Sequence, residues 1–137
     1  MVKEGIKGSN EILVTPEWTA KHIGSGSVLV LATPMMIALM ERTCQESVKP
    51  YLDPGEETVG IHVNVHHHAA TPVGMTVRCE SEVIEVDRRR ITFRVAVYDK
   101  QGLVGDGTHD RFIINVEKFR EKTEARKSDA DNAINAI

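Results

Sequence analysis

The chain has 137 residues, 41% hydrophobic and 27% charged, with 17 basic and 20 acidic side chains and a net charge of −3. Those figures describe one globular domain able to bury roughly two-thirds of its surface. They exclude a disordered body and argue against a general nucleic-acid surface, while leaving room for a local anion site.

The longest apolar run, Val28 to Met40, is too short and too interrupted to span a membrane. The opening MVKEGIKGSN lacks the apolar core of a signal peptide. Cys44 and Cys79 have neither metal nor redox spacing. They read as small buried hydrophobes in a reducing compartment, so a cytoplasmic protein is expected.

In chain order, Glu11 to Val14 fits a short edge strand. Thr15-Pro16-Glu17-Trp18 opens a helical turn with Thr15 as cap and Pro16 at the first helical position. Gly24 to Ser27 is a flexible connection, and Val28 to Leu31 a brief apolar stretch. Thr33-Pro34 repeats the cap-then-proline signal and begins a helix running to about Leu52. Its apolar positions, Met36, Leu39, Met40, Cys44 and Val48, have helical spacing. Met35, Ile37 and Ala38 widen that face, so the helix should be buried over much of its circumference. Pro50 should disturb its last turn, and Asp53-Pro54-Gly55 stops it.

The remainder reads as strand. Val59, Ile61, Val63 and Val65 alternate with Gly60, His62, Asn64 and His66. Val73, Met75, Val77 and Cys79 alternate next, and a phase slip at Val83-Ile84 indicates a bulge. Ile91, Phe93, Val95 and Val97 follow. After a turn at Asp99–Gly102, Val104, Asp106, Thr108, Asp110, Phe112, Ile114 and Val116 share one phase. Four strands in series suggest an antiparallel meander, and the long helix before them suggests an α+β domain whose curved sheet wraps it. Open sheet edges favour pairing across a dimer axis. A short helix is expected from near Val116. One domain over 1–137 is read, with an ordered core of about 7–120 and a frayed tail over about 123–137.

Several polar features stand out from this pattern. Glu41 sits inside the apolar helix, where a carboxylate needs either partners or an exposed position beside a Lys or Arg. In His66-His67-His68, strand parity puts His67 on the face of Val63 and Val65, towards the helix, and His66 and His68 on the other. No suitably spaced carboxylate or cysteine joins His66 and His68, so no metal is expected. Gly105 and Gly107 weaken a strand unless the backbone is approached closely, by the helix or by a ligand. Arg111 is a candidate anion contact, though it also fits an ordinary surface arginine. Thr33 needs no role beyond capping. Yet the start of a buried helix also favours a developing oxyanion, and a hydroxyl there with Glu41 and His67 has the parts of a hydrolytic site.

Taken together, Ala32-Thr33-Pro34-Met35 through Leu39-Met40-Glu41, then Pro54-Gly55-Glu56, Val59-Gly60, the run Val65 to Gly74 and the run Gly105 to Arg111 resemble the fluoroacetyl-CoA thioesterase-like branch of the hotdog superfamily. The likeness covers about Val28 to Phe119. It implies a hotdog fold, an antiparallel sheet wrapped around a long helix. It also implies a homodimer or larger assembly binding acyl-CoA at the subunit interface, without a cofactor. The family's catalytic threonine, glutamate and histidine fall on Thr33, Glu41 and His67. Its thioester-holding glycine falls on Gly60, and the arginine of its late motif on Arg111. The resemblance departs in Ile23 to Leu31, which lacks the phenylalanines that gate the acyl pocket in the fluoroacetate-resistance member. A broader or different small-to-medium acyl group is therefore expected. The implied activity is acyl-CoA hydrolysis. A non-catalytic acyl-CoA binder and an enoyl-CoA hydratase or dehydratase of the same fold are the alternatives.

Overall fold

The structure, a computed structural model, describes residues 1–135. The main helix, α2, spans Thr33–Val48, and a 3₁₀ turn over Lys49–Tyr51 follows at Pro50, where the missing amide breaks the regular ladder. Before it, a 3₁₀ turn at Pro16–Trp18 leads to the short α1, Ala20–Ile23. Thr19 caps α1, its hydroxyl accepting from the His22 amide at 3.2 Å. The strands are β1 (Lys7–Leu13), β2 (Glu56–His67), β3 (Thr76–Asp87), β4 (Arg90–Asp99) and β5 (Gly102–Asn115).

These strands form one antiparallel sheet in the order β1-β3-β4-β5-β2. The meander expected of all four long strands therefore holds only for β3, β4 and β5. β2 does not pair with its successor β3 but crosses to the far edge and pairs with β5. A connection over residues 68–75 makes this possible, since it is too long for a tight hairpin and is anchored on the way. Leu31 N–H donates to the Thr71 carbonyl at 2.8 Å, and the Thr71 hydroxyl donates to Asp99 Oδ2 at 2.8 Å.

α2 lies across the sheet, mostly on β1 and β3. Met36, Leu39, Met40, Cys44 and Val48 are buried against Val77, Cys79, Val83, Ile91, Phe93, Val95 and Val97. The wider apolar face expected of α2 is not enclosed in the single chain. Met35 and Ile37 are half-buried and Ala38 is exposed, because the sheet covers only one side of the helix. The bulge expected at Val83-Ile84 is present as a register shift between Val83 and Glu85.

Two further register shifts alter which residues face α2. The first lies between Gly60 and His62 in β2. The second, between Val97 and Tyr98, displaces Val104 in β5. Consequently Thr58 and Gly60 face the helix, followed after the bulge by Val63, Val65 and His67. Val59, Ile61, Val63 and Val65 do not share one uninterrupted face. On β5 the inward set is Gly105, Gly107, His109 and Arg111, opposite in phase to the apolar series seen in the sequence.

At the C-terminus, α3 runs Val116–Asn135. Its first turn is capped by Asn115, whose Oδ1 accepts from the Lys118 amide at 3.1 Å. The scarcity of apolar residues predicts an end near residue 122, but the helix runs on. Glu, Lys, Arg and Ala are good helix formers without burial, and the side chains of Glu117 to Ser128 are exposed. The end of that expected tail, 136–137, lies outside the described residues. Among the described residues no helix is long and apolar enough to cross a membrane.

Candidate active site

Thr33 opens α2 but does not cap it. No side-chain capping bond forms at this terminus, where Ala32 holds the cap position. The threonine hydroxyl lies instead 2.7 Å from His67 Nδ1 at the end of β2. The capping role expected of Thr33 is thus displaced by a contact that only the tertiary fold supplies. The inward parity assigned to His67 is what the structure has, whereas His66 and His68 lie on the exposed side.

A hydroxyl that donates to Nδ1 leaves the proton of neutral His67 on Nε2. Nε2 is buried and has no hydrogen-bond partner among the described residues. Burial holds the His67 pKa below the usual histidine value, opposed by the Ala69 backbone and aided by nearby His68. The ring is therefore neutral at pH 7 and able to take a proton from Thr33 or a water. Thr33 and His67 open onto a pocket of about 310 Å³ walled by Ala20, Ser25, Val30, Leu31, Ala69 and Ala70. A roomier depression of about 470 Å³ crosses β1, β3 and β4, but no histidine lines it.

Glu41 lies two turns along α2, about 12 Å from Thr33 at 1.5 Å per residue. No hydrogen bond or ion pair joins it to His67 within the chain. Its Oε2 is 3.8 Å from Arg111 Nη1. It also lies so near Gly60 that a β-carbon added there would stand 2.6 Å away. Gly60 and Glu41 form one cluster, and Thr33 and His67 another. The threonine, glutamate and histidine are not assembled in one chain.

Arg111 is not a surface residue, and the anion it faces within the chain is Glu41. It is 6% exposed. Its Nε donates to Thr58 Oγ1 at 2.8 Å, and its Nη2 to the Thr58 carbonyl at 2.9 Å. Nη1 reaches His109 Nε2 at 3.2 Å. Sequence reasoning did not single out Thr58 or His109. A signal for His109 was present, because residues two apart in a strand share a face, so a buried Arg111 implies a buried His109.

The close-approach reading of the β5 glycines is what the structure has. A β-carbon at Gly105 would stand 2.5 Å from Met36 Sδ, and one at Gly107 would collide with the Asn64 carbonyl of β2. On the outer face, His68 Nε2 pairs with Asp106 Oδ1 at 2.6 Å, and the His66 and His68 rings stack 6.0 Å apart. Among the described residues no three or more His, Cys, Asp or Glu side chains are grouped to hold a metal ion.

This geometry can be set beside known proteins. Residues 14–117 match the family described as fluoroacetyl-CoA-specific thioesterase. A fluoroacetyl-CoA thioesterase of Streptantibioticus cattleyicolor is 37% identical over 127 residues, covering 88% of this chain and 91% of that protein. The solved structure of the fluoroacetyl-CoA thioesterase FlK superposes with a TM-score of 0.86 at 35% identity, covering 91% of this chain and 97% of the other. A Thermus thermophilus protein described as a thioesterase superfamily member superposes with a TM-score of 0.89 at 30% identity, covering 96% and 98%. The antiparallel sheet around α2 is thus a hotdog fold. On the extent of the match and the identity over nearly the whole chain, this protein belongs to the fluoroacetyl-CoA-specific thioesterase family.

Proposed function

We propose that the protein hydrolyses a small-to-medium acyl-CoA thioester to the free acid and CoA. The observation that carries this reading is the 2.7 Å contact between Thr33 Oγ1 and His67 Nδ1 at the mouth of a small pocket. A hydroxyl against a neutral imidazole is a nucleophile beside its base. Whether the attacking oxygen is Thr33 Oγ1 or a water held by it, its proton passes to His67 Nδ1 as the carbon–oxygen bond forms. The carbon–sulfur bond then breaks and His67 returns the proton to the departing thiolate. If Thr33 is acylated, a second cycle with water releases the acid. The chemistry calls on no cofactor or metal.

Glu41 and Gly60 complete the site from a second copy of the chain in this reading. β2 is an edge strand on which Ile61 and Val63 are 52% and 39% exposed. Antiparallel pairing of β2 with its copy, centred near residues 63 and 64, would set Gly60 and its neighbour Glu41 opposite His67 of the partner subunit. The carboxylate would then meet the unpartnered Nε2–H and stabilise the imidazolium. The Gly60 amide and the start of α2 would stabilise the oxyanion, each donor worth about 3 kcal/mol. Arg111 serves Glu41 in this arrangement rather than the CoA phosphates. Both cysteines are buried thiols, in keeping with a reducing cytoplasm.

The Streptantibioticus cattleyicolor enzyme and FlK are both named for fluoroacetyl-CoA. In this chain Ile23 to Leu31 carries no phenylalanine, and Val28 and Leu29 are more than half exposed. The acyl specificity is therefore proposed to be broader. The test is thiol release from a panel of acetyl, fluoroacetyl, branched, aromatic and medium-chain CoA thioesters, for the parent and His67→Ala. Release that collapses in the variant supports hydrolysis at this site. Saturable acyl-CoA binding without release would favour a binder, and double-bond absorbance changes without free CoA a hydratase.

A further inference from the structure

β5 carries two inward polar residues, and the mechanism above uses neither as a reacting group. His109 is 1% exposed, so both ring nitrogens need partners. Nδ1 lies 2.8 Å from the His62 carbonyl oxygen. Only an N–H can bond to a carbonyl, so Nδ1 carries the proton and Nε2 a lone pair. That lone pair accepts from Arg111 Nη1 at 3.2 Å. The other two guanidinium nitrogens both bond to Thr58. Those two bonds hold the Nε–Nη2 edge of the planar group. The bond to His109 holds its other end, Nη1. Nη1 is also the atom that faces Glu41 Oε2 at 3.8 Å.

We infer that His109 is a positioning residue: it fixes the Arg111 guanidinium, and through it the Glu41 carboxylate, in the place hydrolysis requires. The inference rests on the proposed role of Glu41. Phe93 stacks on the His109 ring at 6.3 Å, which fixes the imidazole plane. Burial, with Arg111 alongside, keeps the ring in its neutral, proton-accepting form, against the opposing pull of the His62 carbonyl, Glu41 and Asp110.

Two substitutions separate the two nitrogens. His109→Gln can place an amide oxygen near Nε2 and still accept from Arg111. His109→Asn can keep the donor towards His62, but its amide oxygen ends short of the Nε2 position that accepts from Arg111. Each is made in the parent and in Glu41→Gln, with kcat and KM measured by thiol release and folding by circular dichroism. His109→Asn should lower kcat by about 10- to 100-fold with little change in KM, as displacement of a reacting group by an ångström does. His109→Gln should recover most of that loss. In Glu41→Gln, which is itself impaired, His109→Asn should cause no further loss.

A folded His109→Asn with parental kcat overturns the inference, as does an undiminished further loss in the Glu41→Gln background. Should His109→Asn fail to fold, a folded His109→Gln more than tenfold below the parent overturns it equally. A fully active Glu41→Gln removes the reading of Glu41 beneath it, and so is distinguishable from a failure of His109 alone.

Discussion

Replacing Gly60 with alanine perturbs the glutamate cluster by one methyl group. The added carbon would stand 2.6 Å from Glu41 Oε2, 3.2 Å from His109 Cε1 and 3.3 Å from Arg111 Nη1. Ordinary contact begins near 3.4 Å, so the carboxylate must retreat by about 0.8 Å while the other two give by a tenth or two. Glu41 is the far end of a flexible side chain, 42% exposed, so it moves and the strand does not. Displacement on this scale costs roughly 10- to 100-fold in rate when the group is catalytic. Stability should change little. Local crowding costs about 1 kcal/mol, offset by about 0.4–1 kcal/mol because alanine restricts the unfolded chain. The expected outcome in a thiol-release assay is a 10- to 100-fold lower kcat with a melting temperature within about 4 °C of the parent. Parental kcat in a folded Gly60→Ala would refute the link between carboxylate placement and turnover. Loss of activity with a large fall in melting temperature would refute it too, because the strand would then have moved.

Thr33→Ala should leave unfolding free energy within about 0.5 kcal/mol, since the side chain makes no capping bond, whereas loss of a true cap costs about 1 kcal/mol. Thiol release should nevertheless fall by about 100-fold or more, and denaturant unfolding beside kinetics separates the two effects. His67 and His109 both have pKa values held below 6.5, chiefly by burial. Below about pH 6.5 the unfolded chain binds protons that the native chain refuses, so stability is full above that pH and declines as pH falls towards the native values. Melting temperatures between pH 5 and 8 check the sign, and His109→Gln should flatten the decline. Gly105→Ala drives a carbon to 2.5 Å from Met36 Sδ and 2.9 Å from the His66 carbonyl. It should destabilise by about 1–3 kcal/mol in denaturant unfolding, and a variant as stable as the parent would disprove the packed crossing.

Local sequence determined the elements because local physics makes them. Thr33-Pro34 and the apolar spacing from Met36 to Val48 begin and orient α2, and Pro50 ends it. Alternation delimited β4 and the body of β3, and the phase slip at Val83-Ile84 located a bulge. The same two-residue period turned His67 inward. The motifs spanning Thr33 to Arg111 carried the resemblance to a family that residues 14–117 match.

Only the tertiary structure decided where those elements meet. β2 pairs with β5 rather than β3, and a bulge at its middle reverses the face along which Thr58 and Gly60 lie. Neither fact follows from a pattern within β2, because strand partners are chosen by which distant surfaces can be buried together. That choice turned Thr33 from a cap into the partner of His67. It also turned Arg111 from a surface cation into a buried brace for Glu41. The separation of Glu41 from His67 within one chain belongs to the same category. Helix rise sets Thr33 and Glu41 about 12 Å apart, while the neighbours Glu41 meets, Gly60 and Arg111, come from β2 and β5 pairing over α2.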